Sequence, residues 1–263
     1  MCDGEQMPLI KSIPARLKKL SQEGFTAMDI AEPLVSFDSE KKAREVKAFM
    51  VERDFDLIGV RGDGLVCGYA LREELAGGTC GDYAHPFGAF DFVPDTASLV
   101  EVIKSLKVNG RCLVSLLGSI GAIVTFSDLE KPPFRMWLFG LITIAEMTIS
   151  KEIERLFPDD SWQTYLSEGR RRKALNLLQE RRRRNQVAAL MDCLQLSDKG
   201  QVLLRNEQMI REMGFASRKE GLRMFKQLET LRNHLAHSQD IIKIGWDIIV
   251  ELALRTERLF ERS

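Results

Sequence analysis

The sequence predicts an α+β domain made of two β-α repeats in pseudo-twofold arrangement, followed by an all-α helical bundle. Three observations carry that prediction. Residues 36–76 and 92–131 run through the same order of helical and strand patterns. The pair Pro132-Pro133 closes the second copy. From Phe134 onward the apolar residues recur at helical spacing, with no convincing strand. At 263 residues the chain is long enough for two domains with their own cores. The expected divisions are a lead-in at 1–25, a repeat domain at 26–131 and a helical domain at 134–263.

Composition narrows the class. An apolar content of 44% and a charged content of 29% belong to a soluble globular protein. Residues 1–133 hold 15 Lys and Arg against 20 Asp and Glu, whereas residues 134–263 hold 23 against 18. The second half is therefore the one suited to a polyanion. Five scattered cysteines (Cys2, Cys67, Cys80, Cys112, Cys193) without a C-x-x-C pair argue against a disulfide framework or zinc site and for a reducing compartment. The N-terminus lacks the apolar core of a signal peptide. The most apolar run, Met136–Ala145, is closed by Arg135 and Glu146 and is too short to span a bilayer. These features predict a cytoplasmic protein that does not enter a membrane.

Each repeat opens with an amphipathic helix, through Ala43, Val46, Phe49 and Met50 and then Leu99, Val102 and Leu106. A short apolar strand follows, 56–60 and then 112–116, and a tight turn at 61–64 or 118–119 leads to a second strand. A charged helix start ends each copy, Arg72–Leu75 and Ser127–Glu130. The offset between copies is about 56 residues before the turn and 54 after it, which a shorter second turn explains. Between the copies, 76–81 and 85–88 read as a loop, with His85 a turn residue.

The second copy contains Gly121-Ala-Ile-Val-Thr125-Phe-Ser-Asp128-Leu. On these residues the N-terminal domain resembles a tandem CBS-domain pair. The resemblance implies that Thr125 and Asp128 face the phosphate and ribose of an adenine nucleotide (AMP, ADP or ATP) held as a regulatory ligand. A carboxylate accepts from ribose hydroxyls, while a hydroxyl and a helix start donate to phosphate. The first copy has Leu71 and Glu74 at the corresponding places, so one competent pocket is expected. The alternative is that Asp128 caps a helix and the pair serves as a dimerisation platform.

The helical half begins with a segment apolar on nearly every face, 134–157, as a proline pair cannot lie inside a helix. Glu146 is its one mid-helix acid, a salt-bridge partner by the simplest reading. A helix over about 166–195 carries Arg170-Arg171-Arg172-Lys173 and Arg181-Arg182-Arg183-Arg184. Such runs are either a solvated face or a track for a phosphate backbone, and the seven arginines are the candidate RNA contacts. Residues 196–200 read as a turn and 201–212 as a short helix. The capping-box sequence Ser217-Arg-Lys-Glu220 opens a long amphipathic helix, and Ile241–Leu259 supplies the last one.

That long helix ends in Glu229-Thr-Leu-Arg232-Asn233-His-Leu-Ala-His237. Arginine, a polar residue, three more and histidine resemble the signature of the HEPN family, many of whose members are similar to metal-independent endoribonucleases. The resemblance implies that His237 moves the proton of the RNA 2′-hydroxyl or of the leaving oxygen, that Arg232 stabilises the phosphoryl charge, and that Asn233 orients the histidine or holds phosphate. No catalytic cofactor or metal is implied, and the product carries a 2′,3′-cyclic phosphate. On an ideal helix Asn233 and His237 lie about 40° apart but Arg232 and His237 about 140° apart. Either the helix ends before His237, or two protomers share one cleft as a homodimer. A protein antitoxin or effector is a further expected partner. The alternative function is a non-catalytic nucleotide-sensing dimer whose helical domain binds RNA or a protein. The plain alternative for the motif itself is that Arg232 pairs with Glu229 and the histidines are surface or core fillers.

Overall fold

The computed structural model describes Lys19 and residues 23–88, 91–237 and 239–261. The lead-in stretch Leu17–Leu20, Lys19 apart, lies outside the described residues, as does the side chain of Leu259 in the last helix. The chain divides into two units, Gln22–Arg135 and a helical one from Met136 onward.

In the first unit each copy is a short strand, a helix, a parallel strand and a hairpin. β2 (Ser36–Asp38), α1 (Ala43–Arg53), β3 (Leu57–Gly62) and β4 (Leu65–Leu71) make the first. β6 (Phe92–Pro94), α2 (Leu99–Asn109), β7 (Cys112–Leu116) and β8 (Ser119–Val124) make the second. β2 pairs with β3 in parallel, as β6 does with β7, and both hairpins are antiparallel. The helices form for local reasons. Ser98 caps α2 and accepts from the Glu101 N–H, while Asp54 and Gly110 end the two helices in the left-handed region. Their apolar faces, Ala43, Val46 and Met50 and then Leu99, Val102, Ile103 and Leu106, are buried.

The copies exchange edge strands. β1 (Glu32–Pro33) precedes the first copy yet pairs with β8, and β5 (His85–Pro86) precedes the second copy yet pairs with β4. The sheets are therefore ordered β1-β8-β7-β6 and β2-β3-β4-β5. Leu34, Leu113 and Ile120 pack together with Leu57, Val66, Phe87 and Ile123, so residues of both copies share one apolar cluster. A single repeat is too small to bury its own apolar face, and this sharing supplies the missing cover.

The sequence expectations need four corrections in this unit. Segment 85–88 is not wholly loop: His85 and Pro86 form a strand. Gly68 makes room for it, since a Cβ there would stand 2.5 Å from the His85 carbonyl oxygen. The hairpin turns are equally long. Asp63-Gly64 and Leu117-Gly118 each have two residues of positive φ, which is the twist a two-residue hairpin requires. The change of offset lies instead before the turn: Asp54–Asp56 separate α1 from β3 but only Gly110 and Arg111 separate α2 from β7, and β3 is one residue longer than β7. Residues 72–75 start no helix, whereas Phe126–Glu130 form a 3-10 turn.

The helical unit contains α3 (Pro132–Leu156) from Met136 onward, α4 (Glu168–Arg183), α5 (Leu196–Leu203), α6 (Glu207–Glu212), α7 (Arg218–Ala236) and α8 (Ile242–Glu261). Both prolines belong to α3, because in its first turn the absent N–H groups have no intrahelical acceptor to lose. The helix expected to reach 195 stops at Arg183. Residues 196–200 are helix rather than turn, and a bend at 204–206 separates α5 from α6. Helix α5 crosses α7 closely: a Cβ on Gly200 would stand 2.3 Å from the Phe225 ring. A glycine that reads as a turn signal is here a packing requirement.

Candidate functional site

The turn after β8 is held by its own aspartate. Asp128 Oδ2 accepts from the Thr125 N–H at 2.7 Å and from the Thr125 hydroxyl at 2.9 Å. Its other oxygen lies 2.9 Å from Lys131 Nζ. The lysine also contacts Glu32 and donates to the Ile30 carbonyl at 2.7 Å. Burial alone would lower the Lys131 pKa, yet the carboxylates of Glu32 and Asp128 outweigh it and hold the ammonium above the usual lysine range. Asp128 is itself buried, at 5% exposure, while the Ser127 hydroxyl beside Thr125 Oγ1, 2.8 Å away, belongs to an exposed residue. The structure thus brings Thr125 and Asp128 together, with the carboxylate engaged as a cap.

Two further Thr-x-x-Asp turns repeat this geometry. Asp29 accepts from the N–H and hydroxyl of Thr26, and Asp82 from those of Thr79. Each stands just before an exchanged edge strand. Sequence reasoning missed both, although Thr26-Ala-Met-Asp29 and Thr79-Cys-Gly-Asp82 lie 53 residues apart, each ahead of its copy. Asp29 and Asp82 are exposed, so the burial of Asp128 sets it apart.

In the first copy, the counterpart Glu74 meets His85 at 2.5 Å. His85 stacks on Tyr69 with ring centroids 5.3 Å apart, and the Arg111 guanidinium lies 4.8 Å from the Tyr69 ring centroid. The histidine read as a turn residue is a strand residue joining Glu74 and Tyr69.

At the far end of the chain, α7 stops at Ala236, with His237 as its cap; the His237 N–H still donates to the Asn233 carbonyl at 3.1 Å. Asn233 and His237 are exposed and Arg232 is half-buried. Arg232 Nη1 lies 3.4 Å from Asn233 Oδ1, a loose contact. The expected alternative partner of Arg232, Glu229, is engaged elsewhere: it is buried, accepts from the Ser197 N–H at 3.0 Å and meets Lys226 at 2.8 Å. A cleft of about 100 Å³ beside the motif is lined by Lys226, Thr230, His234, Ile241, Gly245 and Ile248 among others. His234, which sequence reasoning left without a role, lines it; Arg232, Asn233 and His237 do not. The cleft is well below the size of a nucleotide pocket.

The seven arginines of α4 and its end divide by partner. Arg170 donates to Gln195 and lies 3.4 Å from Asp198. Arg171 pairs with Glu168, Arg184 with Glu180, and Arg181 donates to the Asp192 carbonyl. Arg172, Arg182 and Arg183 are exposed and have no acidic partner among the described residues. Among the described residues no group of three His, Cys, Asp or Glu is placed to hold a metal ion, and no helix is long and apolar enough to cross a membrane. Burial pushes the thiols of Cys80 and Cys112 up, away from the thiolate needed for nucleophilic chemistry.

No protein-family profile and no curated protein matches the chain. Solved structures do. The CBS domain of the bacterial CNNM/CorC family Mg²⁺ transporter, in complex with ATP, is similar over 44% of this chain and 91% of its own, at 19% identity and a TM-score of 0.35. The CBS-pair protein CBSX2 from Arabidopsis thaliana is similar over 40% of this chain and 91% of its own, at 17% identity and a TM-score of 0.35. A hemolysin-like CBS protein of Oenococcus oeni PSU is similar over 46% and 97% respectively, at 13% identity and a TM-score of 0.36.

Proposed function

We propose that the first unit is a CBS pair that senses an adenine nucleotide and that the helical unit is the part it regulates. The observation that carries this reading is the pair of repeats that exchange edge strands and end on the Thr125–Asp128 turn. ATP accompanies the bacterial transporter domain and AMP accompanies CBSX2, so these two nucleotides are the ligands to try first. At the turn, a phosphate would compete with Asp128 for the Thr125 hydroxyl proton, the exposed Ser127 hydroxyl offers a second donor, and a ribose would compete with Lys131 for Asp128. Thermal melting in the presence of AMP or ATP tests this. A ligand at 100 times its Kd adds about 2.7 kcal/mol of stability, which reads as an upward shift of Tm. Thr125→Ala should fold and lose the shift, and the absence of any shift in the wild type would make the pair purely structural.

A second reading, a metal-independent endoribonuclease, is favoured by Asn233 and His237 standing exposed one turn apart where α7 ends, with Arg232 beside them. Here His237 handles the proton of the 2′-hydroxyl, Arg232 meets the phosphoryl charge from its own or a partner protomer, and Asn233 holds phosphate. The protein then works in the cytoplasm as a homodimer, open to control by a protein antitoxin or effector. Incubation with labelled RNA in EDTA decides it. Cleavage by wild type and not by His237→Ala, leaving cyclic-phosphate ends, supports the enzyme; intact RNA in both removes it and leaves the sensor.

A further inference from the structure

The outward face of α4 has an arrangement that its intramolecular contacts do not account for. Of its sixteen residues only Ala174 and Leu178 are buried, and Arg170 and Arg181 tie the same side to Gln195, Asp198 and the Asp192 carbonyl. The opposite side presents Arg172, Asn176, Gln179 and Arg183, all exposed. Their 4-3-4 spacing keeps them within about 60° of one another around the helix and stretches them over about 16 Å. Lys173 and Arg182 flank that line, also exposed. The two acids of the helix, Glu168 and Glu180, are neutralised by Arg171 and Arg184. What remains outward is four cations with two amide donors between them, flanked by the part-exposed Leu175 and Leu177, and no aromatic ring.

We propose that this face is a docking strip for the phosphate backbone of RNA, with Arg172, Lys173, Arg182 and Arg183 as the contacts. A row of guanidinium, amide and ammonium groups supplies donors at each turn of the helix and offers charge without base readout. An acidic peptide would meet the charges but not need the aligned row of Arg172, Asn176, Gln179 and Arg183 between the flanking Lys173 and Arg182. A membrane would need an apolar stripe where Asn176 and Gln179 stand. Arg170, Arg171, Arg181 and Arg184 are left out, because each already serves a carboxylate, amide or carbonyl of this chain. The proposal rests on the reading of the helical unit as its RNA-facing part, and does not depend on cleavage.

The test is binding of a fluorescent single-stranded RNA to the full chain carrying His237→Ala, which keeps cleavage out of the measurement. Four contacted phosphates predict an affinity that falls about 50-fold between about 50 and 200 mM salt. Adding Arg172→Gln, Lys173→Gln, Arg182→Gln and Arg183→Gln should cost at least about tenfold in affinity at the lower salt and flatten the salt dependence, with helix content unchanged by circular dichroism. If RNA binds and the fourfold variant keeps both affinity and salt slope, the strip is refuted while the RNA reading stands. If the parent chain does not bind RNA, or polyglutamate or anionic vesicles displace it as well as unlabelled RNA does, the RNA reading itself falls.

Discussion

Lys199 Nζ stands 2.8 Å from Glu146 Oε1, and the lysine side chain is almost wholly enclosed. The pair joins α3 to the first turn of α5. The same turn takes the Glu229 carboxylate of α7 on its Ser197 N–H, and its Asp198 faces Arg170 of α4. Three helices are thus keyed to five consecutive residues, 195–199.

Removing one half of this pair should cost far more than removing both. Glu146→Leu leaves an ammonium enclosed without its carboxylate and should destabilise the helical unit by about 3 kcal/mol. The double variant Glu146→Leu, Lys199→Met should fall within about 1 kcal/mol of wild type. Urea denaturation of the four members of the cycle checks this.

Glu229 predicts an acid limb. Burial raises its pKa, but the Lys226 ammonium and the Ser197 N–H outweigh burial and leave the carboxyl below the usual range. A depressed folded pKa contributes stability that is full above the unfolded value, about 4.3, and is lost as pH falls through the folded one. Glu229→Gln should therefore lose less stability than wild type on going from about pH 5 to about pH 3. Denaturation at each pH measures the difference.

Lys131 predicts the opposite limb. Its raised pKa contributes stability that is present below the unfolded lysine value, about 10.4, and lost as pH rises through the folded one. Lys131→Met should destabilise the first unit at neutral pH by about 1–2 kcal/mol, because it removes a charged donor to the Ile30 carbonyl and the Asp128 carboxylate. Its melting temperature should also fall less steeply above about pH 10 than that of wild type.

Gly200→Ala should cost about 1–3 kcal/mol through overpacking against Phe225, even though alanine is the better helix former. Combining it with Phe225→Leu should recover part of that loss. A gain in stability on Gly200→Ala would contradict the close crossing of α5 and α7.

The repeat was legible because each copy's helix and hairpin carry their own periodicity, as with Val46 and Met50 against Val102 and Leu106. Edge strands β1 and β5 were not legible, since two residues are too few to show alternation and each is defined by a partner in the other copy. Leu117-Gly118 lacks the Asn-Gly or Asp-Gly signature, so the hairpin turn was misplaced by one residue. The Thr125–Asp128 pairing needs only three residues of separation and was visible in the sequence. That Asp128 is buried on Lys131 and Glu32 was not.

By itself the sequence determined the local matters: the helix and hairpin of each copy, the cap at Ser217, the amphipathic faces, and the proximity of Thr125 to Asp128 and of Asn233 to His237. Those depend on neighbours within one or two turns. Tertiary structure alone decided the exchange of edge strands, the assignment of Glu229 to Ser197 rather than Arg232, and which arginines of α4 remain outward. In each case competing partners lie far apart in the chain, and the choice between them is made by desolvation and geometry that only the packed fold creates.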